Sequence, residues 1–283
     1  MQAFIFYRNQ SRPSAKALHL SLKKATSTDD TVFIRGSQNS KYLANREYDH
    51  IINMGNSEDI PYLGNPTIVN PPKTIKLGAN KRLARIRFKA KQISAPTLWL
   101  TFEDIPKNEF PVVGRTSYHM KASGFWFCKS KEEARKAQQS GATHFMKFIK
   151  DTREFRVHVF STTLKPQCID DYIVGKLSEK VPTEDVSGTI IKNHDHGYHF
   201  LGPTDRDQVV LNRVRNLAKE VLCKFGMHFG GVDIIYSLLR QKAYVLEINS
   251  TPCLTDTVSN TIDIYTTKIC GLLNIPMKKI EDA

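Results

Sequence analysis

The sequence contains no apolar run approaching the roughly 18 residues that a membrane-spanning helix needs. The apolar segment Ala3-Phe4-Ile5-Phe6-Tyr7 is too short for a signal-peptide core, and Arg8 follows it directly. The expected setting is the cytoplasm, with no membrane partner. Cysteine is sparse: Cys128, Cys168, Cys223, Cys253 and Cys270 are scattered, odd in number and without a C-x-x-C pair. They read as reduced thiols, not as a disulfide framework or a zinc site. No repeat or low-complexity tract is present. Acid is the other shortage, with 28 Asp and Glu against 41 Lys and Arg, a net charge of +13. That surplus attracts something acidic, and nucleic acid, nucleotide phosphates and an acidic peptide all qualify. Between Pro71 and Ile93 stand eight Lys or Arg and no acid. The stretch reads equally as a solvated basic helix face or as a phosphate-facing one.

What remains is ordinary for a chain with a real core: 283 residues, 40% hydrophobic and 24% charged. That length fits one elaborate domain or two to three small ones. Apolar runs at Ala3–Tyr7, Val32–Arg35 and Ile51–Met54 read as buried strands, with a helix at Lys16–Lys24. The prolines 61, 66, 71 and 72 mark an extended linker, with a boundary near residue 72. A helix is expected over residues 80–92, its apolar stripe made of Leu83, Ile86, Ala90 and Ile93. Short strands follow at Phe110–Val113, Phe125–Cys128, Thr143–Ile149 and Phe155–Ser161. Ser130 with Glu133 forms a capping box that starts a helix at Lys131. Asp205 with Gln208 reads as the N-cap pair of a long helix that Gly226 closes. Gly230–Leu238 and Lys242–Asn249 read as an antiparallel hairpin turning near Arg240, and Ile262–Leu273 as a last helix. The expected class is α/β with α+β character, in units 1–72, 73–149 and 150–283.

The hairpin carries the chemistry. Glu247 and Asn249 share a strand face, roughly 7 Å apart. Leu246 and Ile248 are expected on the other face, in the core. A turn centred on Arg240 sets Asp233 opposite Glu247, with Cα atoms about 5 Å apart. Two carboxylates so close repel one another unless a cation lies between them. Two carboxylates and an amide suit Mg²⁺, or Mn²⁺ in its place, bridging protein and substrate phosphate. Taken alone, the pair also reads, with less weight, as the solvent face of an edge hairpin.

The pattern V-D-I-I…Y-V-L-E-I-N-S-x-P, residues 232–252, resembles the metal-binding end of ATP-grasp enzymes such as D-alanine–D-alanine ligase and glutathione synthetase. The sequence resembles in particular a group of carboxylate–amine ligases of bacteria and phages, over roughly residues 1 to 270. The resemblance implies an ATP-grasp fold: an N-terminal Rossmann-like domain, a small central subdomain, and a C-terminal antiparallel-sheet subdomain holding the metal. It implies ATP as cofactor and Asp233, Glu247 and Asn249 as metal ligands. Lys81 corresponds to a phosphate-contacting Lys, and Arg115 to a basic residue that is commonly Lys; Arg is a good bidentate phosphate partner. Lys147-Phe148-Ile149 matches the hinge that reads adenine, and Glu154 the acid that holds the ribose. This chain has Lys147 where the family often carries Glu, so the implied adenine contacts are backbone ones. Arg156, Lys176 and Lys192 match basic positions near the transferred phosphate or the substrate carboxylate.

The loop from Gly114 to Gly124 lacks the dense glycines of many phosphate lids, but it offers Arg115, Thr116, Ser117, His119, Lys121 and Ser123 as donors. His194, His196 and His199 crowd one short loop. Their spacing matches no common zinc motif, which leaves a polar loop or a substrate-contacting one. The implied reaction activates a carboxylate as an acyl phosphate and joins it to an amine. The acid and the amine are unidentified, and the acceptor is a small molecule, a peptide or another macromolecule. Two rivals stand beside it: an ATP-grasp kinase or thiol ligase, and a nucleic-acid-binding protein with a degenerate ATP-grasp fold.

Overall fold

The computed structural model describes residues 1–8, 11–26, 31–37, 39–117, 124–182, 197–203, 207–252, 254 and 260–278. In chain order the elements are β1 (Gln2–Tyr7), α1 (Arg12–Ala25), β2 (Val32–Gly36), α2 (Lys41–Ala44), β3 (His50–Met54) and β4 (Thr67–Val69). Then come α3 (Pro72–Ala79), α4 (Lys81–Ala90), β5 (Leu98–Trp99), β6 (Val112–Arg115), β7 (Phe125–Cys128), α5 (Lys131–Gln139) and β8 (His144–Lys147). The last third holds β9 (Thr152–Ser161), β10 (Tyr172–Pro182), β11 (Tyr198–Leu201), α6 (Gln208–Phe225), β12 (Phe229–Ser237), β13 (Lys242–Asn249) and α7 (Thr261–Leu272).

The first sheet is parallel, in the order β2-β1-β3-β4. Ala3, Phe4, Ile5 and Phe6 are buried throughout, as parallel strands covered on both faces must be. The Pro-rich stretch is not wholly linker. Thr67–Val69 adds a strand beside β3, and α3 starts at Pro72, where a helix needs no amide donor. The second sheet is antiparallel, β5-β8-β6-β7, with Ala134 and Ala137 of α5 packed on Val112 and Phe145. Ser130 caps α5 as expected, its Oγ accepting from Glu133 N at 3.2 Å, but the reciprocal half of the capping box is displaced by one residue: Glu133 Oε2 accepts from Lys129 N at 2.8 Å, not from Ser130 N.

The third sheet, β11-β10-β9-β12-β13, positions the site. Along β9 the side chains alternate. Phe155, Val157 and Val159 are fully buried in a core with Val214, Val221 and Leu222 of α6. Glu154, Arg156 and His158 therefore lie on the other face. Asp207, not Asp205, caps α6, accepting from Val209 N at 3.0 Å and Val210 N at 3.4 Å; Asp205 lies outside the described residues. Gly226 closes the helix with φ 69°.

Helix α4 turns a different face inward from the one its periodicity suggests. Leu83 and Ile86 are 38% and 39% exposed, and Ala90 is also exposed, whereas Ala84, Arg85 and Phe88 are buried. Of the expected stripe only Ile93, beyond the helix end, is buried. Phe88 packs on Phe225 of α6, ring centres 5.4 Å apart, and Arg85 finds backbone carbonyls to satisfy it. The larger ring and the available acceptors outweigh the aliphatic pattern. At the other end of the chain, α7 packs on α1, placing Tyr265, Ile269 and Cys270 in one core with Leu18 and Leu22. No helix among the described residues is long and apolar enough to cross a membrane.

Candidate active site

Asp233 stands opposite Glu247, and Gly231 opposite Asn249. The route to that pairing differs from a turn centred on Arg240. Nearer the turn the partners are Ser237 with Lys242 and Ile234 with Val245, so the ladder shifts by one residue between Ile234 and Asp233. Leu246 is the extra residue of a β-bulge. It leaves the face expected for it and packs with Ile149, Ile235 and Tyr244, while Ile248 does join the main core.

Around this pair the polar face of the sheet assembles. Arg156 lies opposite Asp233 across the β9–β12 ladder and holds it bidentately, Nε on Oδ1 at 2.7 Å and Nη2 on Oδ2 at 2.7 Å. Asn249 Nδ2 lies 3.3 Å from Asp233 Oδ2 and 3.4 Å from Glu247 Oε1. Lys81, at the start of α4, donates to Glu247 Oε2. Asn80 caps that helix by accepting from Leu83 N at 2.9 Å, and Lys81 N donates to Ser117 O at 3.0 Å. Five of the sequence-derived residues thus come together: Lys81, Arg156, Asp233, Glu247 and Asn249.

Burial sets the electrostatics. It pushes the Asp233 carboxyl above its ordinary value, against the pull of Arg156. It acts the same way on Glu247, but there the Lys81 ammonium and its hydrogen bond win and hold the carboxyl well below the usual range. Burial also disfavours the Arg156 cation, which Asp233 more than restores. Among the described residues no three His, Cys, Asp or Glu side chains gather as a metal cage. The oxygen set is two carboxylates and one amide, hard donors that fit Mg²⁺ once the amide presents its oxygen.

The other expected residues lie around this centre. Glu154 pairs with Lys180 across β9 and β10, and Lys180 and Arg156 both face the Phe200 ring, at 5.1 and 4.5 Å. Arg115 ends β6 and stacks on Phe125 at 5.3 Å; burial lowers its pKa while Glu247 opposes the shift. Lys147 turns its ammonium to Glu109, 2.9 Å from Oε2, and its amide to Thr97 O. Phe148 N donates to Pro111 O at 3.3 Å, so both amides are engaged within the protein. Ile149 reaches the patch formed by Ile235, Tyr244 and Leu246. Lys176 lies one row along from Arg156, opposite His158, and donates to Thr261 Oγ1 at 2.8 Å. Lys192, His194 and His196 lie outside the described residues, as do His119, Lys121 and Ser123. His199 is on β11 opposite Val181.

Sequence reasoning missed Lys180, Phe200 and Arg85. Lys180 was within reach: Lys176, Ser178 and Lys180 alternate onto one strand face. Arg85 carried no signal, because nothing local marks a buried arginine whose partners are 160 residues away.

No protein-family model matches the sequence, and no curated protein sequence matches it either. Solved structures do match. An N5-carboxyaminoimidazole ribonucleotide synthetase in complex with ADP aligns with TM-score 0.69 and 14% identity, over 98% of this chain and 78% of the other. The VanG D-Ala:D-Ser ligase of Enterococcus faecalis aligns with TM-score 0.67 and 14% identity, over 96% and 99%. A D-alanine–D-alanine ligase of Bacillus anthracis complexed with ATP aligns with TM-score 0.66 and 11% identity, over 97% and 96%. The chain has the fold of these proteins, the ATP-grasp fold.

Proposed function

We propose that the chain is an ATP- and Mg²⁺-dependent ligase that activates a carboxylate as an acyl phosphate and joins it to an amine. The observation that carries this reading is the meeting of Glu247, Asn249, Lys81 and Arg156, all partly exposed, around the buried Asp233, on a fold whose solved examples include an ATP complex. A fold alone does not assign an activity. The site supports this one because its donors suit a hard cation and its cations suit phosphate and carboxylate.

Asp233, Glu247 and Asn249 would hold Mg²⁺, which supplies positive charge against the triphosphate. Lys81, released from Glu247, and Arg115 bind the phosphates. Ile149, with Ile235, Tyr244 and Leu246, provides an apolar seat for adenine, and Glu154 with Lys180 stands toward the ribose. Arg156 orients the transferred phosphoryl group, and Lys176 and Lys192 hold the substrate carboxylate. The carboxylate oxygen attacks the γ-phosphorus and the bridging P–O bond breaks, releasing ADP; positioning and charge dominate such a step. The amine nitrogen then attacks the acyl carbon, phosphate leaves with the electron pair, and the amine loses a proton.

The test is an ADP-release screen with pooled amino acids, polyamines and peptides, followed by mass spectrometry of any product. An amide product with free phosphate is expected. A phosphorylated product without free phosphate would make the chain a kinase, and absence of Mg²⁺–ATP binding would end the reading.

A further inference from the structure

Successive carbonyl groups along a regular strand point to opposite sides. Val245 and Leu246 break that rule, because both carbonyl oxygens accept from one guanidinium. Arg85 Nη1 meets Val245 O at 2.8 Å, and Nη2 meets Leu246 O. The break falls at the bulge, where Leu246 is the extra residue. Arg85 is 6% exposed and lies four residues after Lys81, on the same face of α4. One helix face therefore holds three consecutive residues of β13: Val245 and Leu246 through their carbonyls, Glu247 through its carboxylate. Just beyond α4, Ser94 holds the same strand edge, its carbonyl accepting from Val245 N at 2.9 Å and its Oγ donating to Ala243 O at 2.6 Å.

The bulge decides which way Glu247 points. Continuing the Ile234–Val245 register without it would set Leu246 against Asp233 and Glu247 against Val232. Val232 is fully buried in the core beneath α6. A one-residue slip reverses every side chain beyond it, so the carboxylate would face the apolar core.

We propose that Arg85 is a positioning residue: it clamps the bulge at Leu246, keeps Glu247 opposite Asp233, and through α4 ties the carboxylate to the helix that carries Lys81. The structural half of this proposal stands on geometry; its consequence for metal binding rests on the Mg²⁺–ATP reading. Methionine at this position fills similar space without donors, and lysine keeps the charge but loses the fork that reaches two oxygens.

The experiment compares wild type, Arg85→Met and Arg85→Lys by backbone hydrogen exchange and by ATP titration across a Mg²⁺ series. In Arg85→Met, peptides covering 242–249 should exchange about tenfold faster while those of α6 and β9 keep wild-type protection. The Mg²⁺ concentration for half-maximal ATP binding should rise about tenfold, as for lost outer support of a metal ligand, with ATP affinity at saturating Mg²⁺ little changed. Arg85→Lys should fall between the two. Wild-type exchange over 242–249 and an unchanged Mg²⁺ series in Arg85→Met would overturn the clamp. If Arg85→Met does not fold, wild-type behaviour of Arg85→Lys overturns it instead. If the wild type binds no Mg²⁺–ATP, the functional reading fails, and the exchange data still decide the clamp.

Discussion

Glu247, partly exposed, and His158, buried, show how one polar sheet face treats two titratable groups. Glu247 is held ionised by Lys81, so Glu247→Gln removes a charge without changing shape. Turnover of ATP should fall about a hundredfold or more, the scale of losing one preorganised electrostatic group. Circular dichroism should show an intact fold, and full activity in that variant would remove Glu247 from the site. His158 lies between Arg156 and Lys176 with its Nδ1 3.2 Å from the Tyr265 hydroxyl. Burial first, then those two cations, hold it down to about 3 from an ordinary 6.5. Between those values the unfolded chain binds the extra proton and the folded chain does not, so stability drops as pH falls below 6.5. His158 alone should cost about 1.5 kcal/mol between pH 6.5 and 5. Urea midpoints at the two pH values should show that loss in the wild type and a flatter profile in His158→Asn. Equal slopes would mean the imidazole is solvated or already charged.

At the scale of elements, α4 separates what its sequence displays from what its packing uses. Phe88→Ala opens a fully buried contact with Phe225 and should cost about 3–5 kcal/mol. Leu83→Ser and Ile86→Ser act on exposed positions and should each stay within about 0.5 kcal/mol. Denaturant melts of the three variants rank them, and the reverse order would restore the aliphatic stripe as the buried face. Strands β1, β2 and β3, the start of α5 at Ser130 and α6 with its closing Gly226 were legible, because each is set by local pattern; the pairing of Asp233 with Glu247 was also expected, but from a turn centred on Arg240 and not from the bulge that produces it. The bulge at Leu246, the short strand at Thr67–Val69 and the inward turn of Arg85 were not, since each depends on a partner distant in sequence. The site was legible to the same degree. Alternation along β13 brings Glu247 and Asn249 together, and along β10 it puts Lys180 on the face of Lys176, but the ladder is what sets Lys180 beside Glu154.

For the whole molecule, the surplus of +13 has to be located before it can be assigned a partner. Around the third sheet four cations pair with acids: Lys81 with Glu247, Arg156 with Asp233 and Lys180 with Glu154 on the polar face, and Arg153 with Glu179 on the face toward α6. Those pairs add nothing to the excess. Lys73, Lys76, Arg87 and Lys89, by contrast, are exposed along α3 and α4, where no acid intervenes. Such a surface attracts any polyanion through counterion release, with affinity falling with salt at a log–log slope of about −0.9 per phosphate neutralised on duplex DNA. On the proposed reading the paired site would behave differently, because Mg²⁺–ATP would replace specific internal partners and bind once per chain. Titrations of ATP and of a random duplex, each at low and at physiological salt, separate the two. ATP binding should be stoichiometric, Mg²⁺-dependent and retained at the higher salt, whereas duplex binding should be sequence-blind and lost there. Submicromolar duplex binding that survives physiological salt, with no ATP binding, would make the α3–α4 surface a nucleic-acid site and the ligase reading wrong. An acidic polymer that raises ATP turnover would instead identify that surface as the approach for a macromolecular acceptor.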